Sequence, residues 1–172
     1  MKIYTRARYG LRMMVELARE LRKTDLVHLG KIARITGLSE NYLAQLAMVL
    51  KSSGLVRGVS GKKGGYQLAK PPDRIKIREV VESVIGPINL TECVNHPEIC
   101  LNSCFCEARM IWVMANARVQ EVLDEYTLAD LVEKEWIARL RAKYPEMHLL
   151  NPDVIMSEGS EEIRPGCPQA RG

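Results

Sequence analysis

Between residues 29 and 68 the chain leaves little room for anything but helix, turn, helix, hairpin. Apolar residues at helical spacing over Leu29–Thr36 stop at Gly37, a residue suited to the left-handed conformation just past a helix end. Ser39 then offers an N-cap for a second helix, Glu40–Ser53, which closes before Gly54. Leu43, Leu46, Ala47 and Leu50 make its buried stripe, and Asn41, Ala44, Gln45 and Met48 fall on the other face. Leu55–Val59 reads as a strand. Ser60-Gly61-Lys62-Lys63-Gly64-Gly65 is a glycine-rich turn with two lysines at its tip, Tyr66–Leu68 is the returning strand, and Lys70-Pro71-Pro72 ends it. This order is the winged helix-turn-helix pattern. Its second helix enters the major groove, where Asn and Gln pair with adenine edges, while the hairpin reaches a neighbouring groove or phosphate. An ATPase phosphate loop is excluded, since no Gly-Lys-Ser/Thr opens a helix here.

The flanks fit that core. Thr5 caps a first helix predicted to run to about Lys23, with Leu11, Met14, Val15, Ala18 and Leu21 as one buried stripe. Arg6, Arg8, Arg12 and Arg19 lie mostly off it, and Arg6 and Arg8 are candidate phosphate contacts. Leu26–His28 is a short extended piece. Residues 74–85 carry Ile77, Val80, Val81 and Val84 at helical spacing before Gly86-Pro87.

Charge is divided along the chain. Residues 1–72 hold 14 Lys+Arg against 4 Asp+Glu, and residues 73–172 hold 11 against 17, so a net charge of +10 is joined to one of −6. An excess so confined to one half is the electrostatic footprint of nucleic-acid binding, beyond that of a merely soluble basic surface. No run of about 18 apolar residues is present to span a membrane. MKIYTRARYGLRMM has charges where a signal peptide needs an apolar core, which places the chain in the cytoplasm.

In a cytoplasmic chain, clustered cysteines favour metal binding or redox chemistry over structural disulfides. Four of the five cysteines, Cys93, Cys100, Cys104 and Cys106, lie in one loop. Cys167 is read as a stray thiol. After the loop a helix is predicted over about Glu107–Glu125, with Ile111, Ala115, Val119, Val122 and Tyr126 as an apolar seam widened by Met110 and Met114. A small winged domain offers such a helix little surface, so the seam is expected to be a dimer interface, with packing back onto its own domain as the alternative. A further helix restarts at Thr127 and is predicted to reach Lys143. The expected fold is mainly α with a small β-wing. It comprises a winged helix-turn-helix DNA-binding domain over 1–85, a cysteine loop over 86–106, a dimerisation helix region over 107–144 and a mobile tail over 145–172.

TRARYGLRMMVELA, LSENYLAQLAMVLKSSGLV, GKKGGYQLA, CVNHPEIC and CFCEARMIW, in that order, resemble the IscR/NsrR/CymR family of bacterial winged-helix regulators over about residues 1–132. The resemblance implies a homodimeric transcription regulator, with the helix after the cysteines crossing its mate on a palindromic double-stranded DNA operator. Members with three loop cysteines carry a 2Fe–2S or 4Fe–4S cluster and sense iron–sulfur status, nitric oxide or redox state; others respond to different signals. The three cysteines fall on Cys93, Cys100 and Cys106; the last spacing fits and the first is one residue longer. The fourth ligand departs from the family. A histidine used by the cluster-biogenesis regulators is Arg109 here, and an acidic residue used by the nitric-oxide sensors is Arg8. Cys104 is the replacement expected, with His96 behind it. Ser39, Asn41, Tyr42 and Gln45 fall where the family contacts DNA. Ala44 stands where many members have Glu, and Ser60 stands at a wing position often held by Arg, with Arg57, Lys62 and Lys63 nearby.

The expected function is therefore an iron–sulfur-controlled DNA-binding regulator, most simply a repressor. A zinc- or thiol-based regulator is the alternative, since four cysteines also suit tetrahedral zinc. An enzyme is not expected. Cys100, Cys104 and Cys106 miss the radical-SAM spacing by one residue, and no Ser/His/Asp or paired-carboxylate arrangement stands out.

Overall fold

The structure, a computed structural model, describes residues 5–61, 64–133 and 135–144. Lys62, Lys63 and the tail over 145–172 with Cys167 lie outside them. In chain order come α1 (Thr5–Glu20), α2 (Leu29–Thr36), α3 (Glu40–Ser52), β1 (Val56–Val59), β2 (Gly65–Leu68), α4 (Ile77–Ile85), α5 (Glu92–Asn95), α6 (Glu107–Glu125), α7 (Leu128–Val132) and α8 (Trp136–Lys143). The fold is the winged helix-turn-helix expected, followed by a long helix.

Gly37, at φ 71°, is the left-handed residue that ends α2 and turns the chain into α3. Ser39 caps α3 by accepting from the Tyr42 N–H at 3.3 Å. Leu43, Leu46, Ala47 and Leu50 of α3 are buried, as their spacing predicts, against Met13, Met14, Leu17 and Ala18 of α1, Ile32 of α2 and Val80 and Val84 of α4.

On α1 the buried sector is rotated from the expected stripe. Leu11, Val15 and Leu21 are only partly buried, while Met13 and Leu17 are fully buried. Glu16 and Glu20 are buried beside them. Periodicity assigns such charges to water. Here each has a cationic partner, Arg19 on Glu16 at 2.7 Å and both Lys31 and Lys23 on Glu20, so burial leaves no uncompensated charge.

The chain after α6 returns to the winged domain. The Ile77 N–H donates to the Tyr126 carbonyl at 3.1 Å, and the Leu128 N–H to the Ile75 carbonyl at 2.8 Å. Leu128 and Val132 of α7 then enter the main core. The single helix expected from Thr127 to Lys143 is instead two helices, because Glu133 turns extended (φ −72°, ψ 138°) after α7. A second small core of Ala7, Ile77, Val81 and Ile88 receives Val119, Leu123 and Tyr126.

This last contact divides the seam. Val119 and Tyr126, expected at the dimer interface, pack on their own domain, and Asn116 is the buried residue of α6. Met110, Ile111, Met114 and Val122 are exposed, and Ala115 is half-buried. Apolar residues surround most of α6, so spacing alone could not say which sector faces home.

Candidate functional site

Two regions collect the candidate residues: the face made by α3, the start of α1 and the hairpin, and the cysteine loop. On the first, the burial of Leu43, Leu46 and Leu50 forces Asn41, Gln45 and Met48 outward, and Met48 is 72% exposed. Ser39 is exposed, with its oxygen engaged in the α3 cap. Tyr42 is half-buried and meets the Tyr9 ring edge-on, centroids 6.0 Å apart. Arg8 lies over that same Tyr9 ring at 4.9 Å. The structure thus brings Arg8 and Tyr42 together through Tyr9, tying α1 to the first turn of α3. Arg6 is exposed on α1.

The hairpin pairs Val56 with Leu68 and Val59 with Gly65. Its second strand is pinned by Val27, whose N–H donates to the Tyr66 carbonyl at 3.0 Å and whose carbonyl accepts from the Tyr66 N–H at 2.8 Å. The glycine pair follows from these approaches. A Cβ at Gly64 would lie 2.2 Å from the Val59 carbonyl oxygen, and one at Gly65 would lie 3.0 Å from the Val27 carbonyl oxygen. Arg57 and Ser60 are exposed on the hairpin, leading to the Lys62 and Lys63 positions.

In the loop, Cys93 lies on α5. Cys100 follows a 3-10 turn over Pro97–Ile99, Cys104 is inside another over Ser103–Phe105, and Cys106 immediately precedes α6. Cys93 and Cys106 are half-buried; Cys100 and Cys104 are exposed, and all four are free thiols. Cys104, inside its 3-10 turn, and Cys106, the extended residue before α6, thus sit in different backbone conformations. His96 is exposed, its Nδ1 3.0 Å from Glu98 Oε1. Glu98's own backbone N–H and then His96 hold that carboxyl below the usual carboxylate range.

The chemistry of the donor set fits an iron–sulfur cluster, with four free thiols within one loop. Their arrangement is not yet that of a site: among the described residues no group of three or more His, Cys, Asp or Glu side chains is placed to hold one metal ion.

Sequence reasoning missed what holds this loop. Asn116 Oδ1 accepts from the Leu90 N–H at 3.1 Å, and Gln120 Nε2 donates to the Ile88 carbonyl at 3.5 Å. Glu82 Oε1 accepts from the Ile88 N–H at 3.2 Å. Arg109 Nε donates to the Cys93 carbonyl at 2.7 Å and Nη2 to the Val94 carbonyl at 3.3 Å. The available signal was Asn116 and Gln120, two amides one turn apart on a helix otherwise rich in apolar residues.

Residues 3–134 match the Rrf2 family model, described as an iron-dependent transcriptional regulator. The HTH-type transcriptional regulator CymR of Bacillus subtilis is 38% identical over 131 residues, covering 76% of this chain and 89% of its own. The solved structure of that global cysteine regulator superposes with a TM-score of 0.66 at 37% identity, over 77% of this chain and 96% of the other. NsrR of Bacillus licheniformis is 32% identical over 133 residues, 77% of this chain and 92% of its own. The structure of IscR from T. potens gives a TM-score of 0.62 at 31% identity, over 86% of this chain and 92% of the other.

Proposed function

Because the chain belongs to the Rrf2 family of transcriptional regulators, we propose that it binds a palindromic operator as a homodimer under the control of an iron–sulfur cluster in its cysteine loop. The observation that carries the DNA-binding part is the exposure of Asn41 and Gln45 on α3, beside the hairpin and within the strongly basic half of the chain. Asn and Gln amides match adenine edges in the major groove, while Arg6, Arg8, Arg57, Lys62 and Lys63 supply charge for phosphates. Ser39 and Tyr42 hold the helix end at which those contacts are made, and Ser60 marks the edge of the wing tip.

The dimer reading is supported by Met110, Ile111, Met114 and Val122, exposed on α6 opposite the face that packs at home. A helix of 19 residues with so much apolar surface in water suits a second copy of itself. The ligands proposed are Cys93, Cys100 and Cys106, with Cys104 as the fourth. When bound, a cluster supplies a redox- and nitric-oxide-reactive centre joined to both α5 and α6. The chain's own part is mechanical. Asn116, Gln120 and Arg109 fasten the loop to α6, and the Tyr126–Ile77 hydrogen bond fastens α6 to α4, which packs on α1 and α3.

The alternative is a zinc- or thiol-based regulator. It is favoured by the exposure of Cys100 and Cys104 and by the separation of the four thiols, and by the similarity to a protein described as a cysteine regulator. Anaerobic purification with iron and sulfide counts separates the readings. Both elements near stoichiometry, with operator affinity that changes when the cluster is removed, is the expected result. Zinc alone, or full control by thiol oxidation in iron-free protein, overturns it.

A further inference from the structure

The two ends of the cysteine loop and the stretch between them are not held alike. Arg109, on the first turn of α6, reaches the carbonyls of Cys93 and Val94 with its guanidinium, at 2.7 and 3.3 Å. Its own backbone N–H donates to the Cys106 carbonyl at 3.1 Å. One residue therefore grips the chain at both Cys93 and Cys106. Thr91 Oγ1 stands 3.3 Å from Cys93 Sγ and fixes the side chain as well. Among the described residues no side chain of α6 is hydrogen-bonded to the stretch between, where Ser103 is buried but Cys100 and Cys104 are exposed, beside Leu101 at 100% and Phe105 at 88% exposure.

Resting on the reading of this loop as the cluster site, we propose that Arg109 is a positioning residue: its planar fork clamps the Cys93 arm against the start of α6, so that Cys93 and Cys106 form a pre-set pair of thiols and Cys100 and Cys104 close on them from the unclamped stretch. A guanidinium suits this task better than an ammonium, because its donors are fixed in one plane and engage two carbonyls at once. The position where the cluster-biogenesis regulators that this chain resembles have a histidine ligand is thus given over to holding ligands. The cation also opposes the charge of gathered thiolates.

The test is site-resolved alkylation of reduced, metal-free, full-length protein, read by peptide mass on the plateau of each thiol's pH–rate profile, so that the change of charge at residue 109 does not set the rate. Arg109→Met keeps length and apolar packing but no donors, and Arg109→Lys keeps the charge with a single donor group. In Arg109→Met, Cys93 should react about tenfold faster, the size expected for losing a charge-assisted hydrogen bond. Cys106 should follow more weakly, and Cys100 and Cys104 should not change. Arg109→Lys should fall between wild type and Arg109→Met, and it decides alone if the Met variant fails to fold. An unchanged Cys93 rate, or equal acceleration of all four thiols, overturns the clamp. Full protection in the Lys variant also overturns it, since charge alone would then suffice. Iron and sulfide counts on wild type judge the cluster reading independently. A protein that takes up neither leaves the alkylation rates still decisive for the clamp.

Discussion

Gln45 and Cys104 are the side chains on which the proposed base readout and the proposed thiol set most depend. Gln45 points outward from α3 because Leu43, Leu46 and Leu50 occupy its inner face. Gln45→Ala is expected to relax base preference, costing roughly 1–3 kcal/mol on the best site and little on unrelated duplexes. Competition binding against a randomised duplex pool measures this, and an unchanged preference removes Gln45 from the readout. Cys104 is exposed on a 3-10 turn two residues before Cys106. Anaerobic reconstitution of Cys104→Ser and Cys106→Ser should give loss of the cluster or a clear change in its visible spectrum, while Cys167→Ser matches wild type. A wild-type spectrum from Cys104→Ser would assign the fourth position to His96, a bound small molecule or the partner subunit.

Among the elements, the corner between α6 and α7 is where the long helix is fastened to the DNA-binding domain. Thr127 and Asp130 form a reciprocal capping box there, with the Thr127 N–H donating to Asp130 Oδ2 at 2.8 Å and the Asp130 N–H to Thr127 Oγ1 at 3.4 Å. Thr127→Ala should cost about 1 kcal/mol, read as a lower Tm. The Thr127 hydroxyl, then its backbone N–H, holds the Asp130 carboxyl below the usual carboxylate range. A depressed folded-state pKa gives stability that is present above the unfolded value and lost as pH falls through the folded one. The corner should therefore loosen on acidification below the ordinary carboxylate range, with no loss between neutral pH and that range. In Asp130→Asn that acid step in Tm should shrink.

For the whole molecule, assembly and charge decide the behaviour. Met114 is 55% exposed on the outer sector of α6, away from the small core that takes Val119 and Tyr126. Met114→Glu is expected to give a folded monomer in sedimentation and to abolish binding to a two-half-site operator, because the carboxylate would be buried unpaired between copies. Val119→Glu, by contrast, should lower Tm first, since that side chain packs at home. A wild type that sediments as a monomer at micromolar concentration ends the dimer reading. With about 6–10 phosphate contacts per dimer, log affinity should fall with log salt at about −0.9 per contact, and Lys62→Ala with Lys63→Ala should make that slope shallower on every duplex alike.

By itself the sequence determined the helix-turn-helix, the hairpin and the exposed face of α3. Those depend on local chemistry that can be read along the chain: Gly37 past a helix end, Ser39 at a cap, and a leucine stripe one turn apart. It also marked the loop, where four of the five cysteines lie in one short stretch. Tertiary structure decided the rest. The burial of Glu20 on α1 turned on Lys31 of α2 reaching it. Which sector of α6 faces home turned on Asn116 and Gln120 meeting backbone groups at Leu90 and Ile88. Arg109 likewise took its role from carbonyls far from it in sequence, at Cys93 and Val94. Each of these is a polar group whose burial is favourable only once a distant partner is in place. Periodicity reports the average cost of burying a residue type and carries no information about the partner that cancels it.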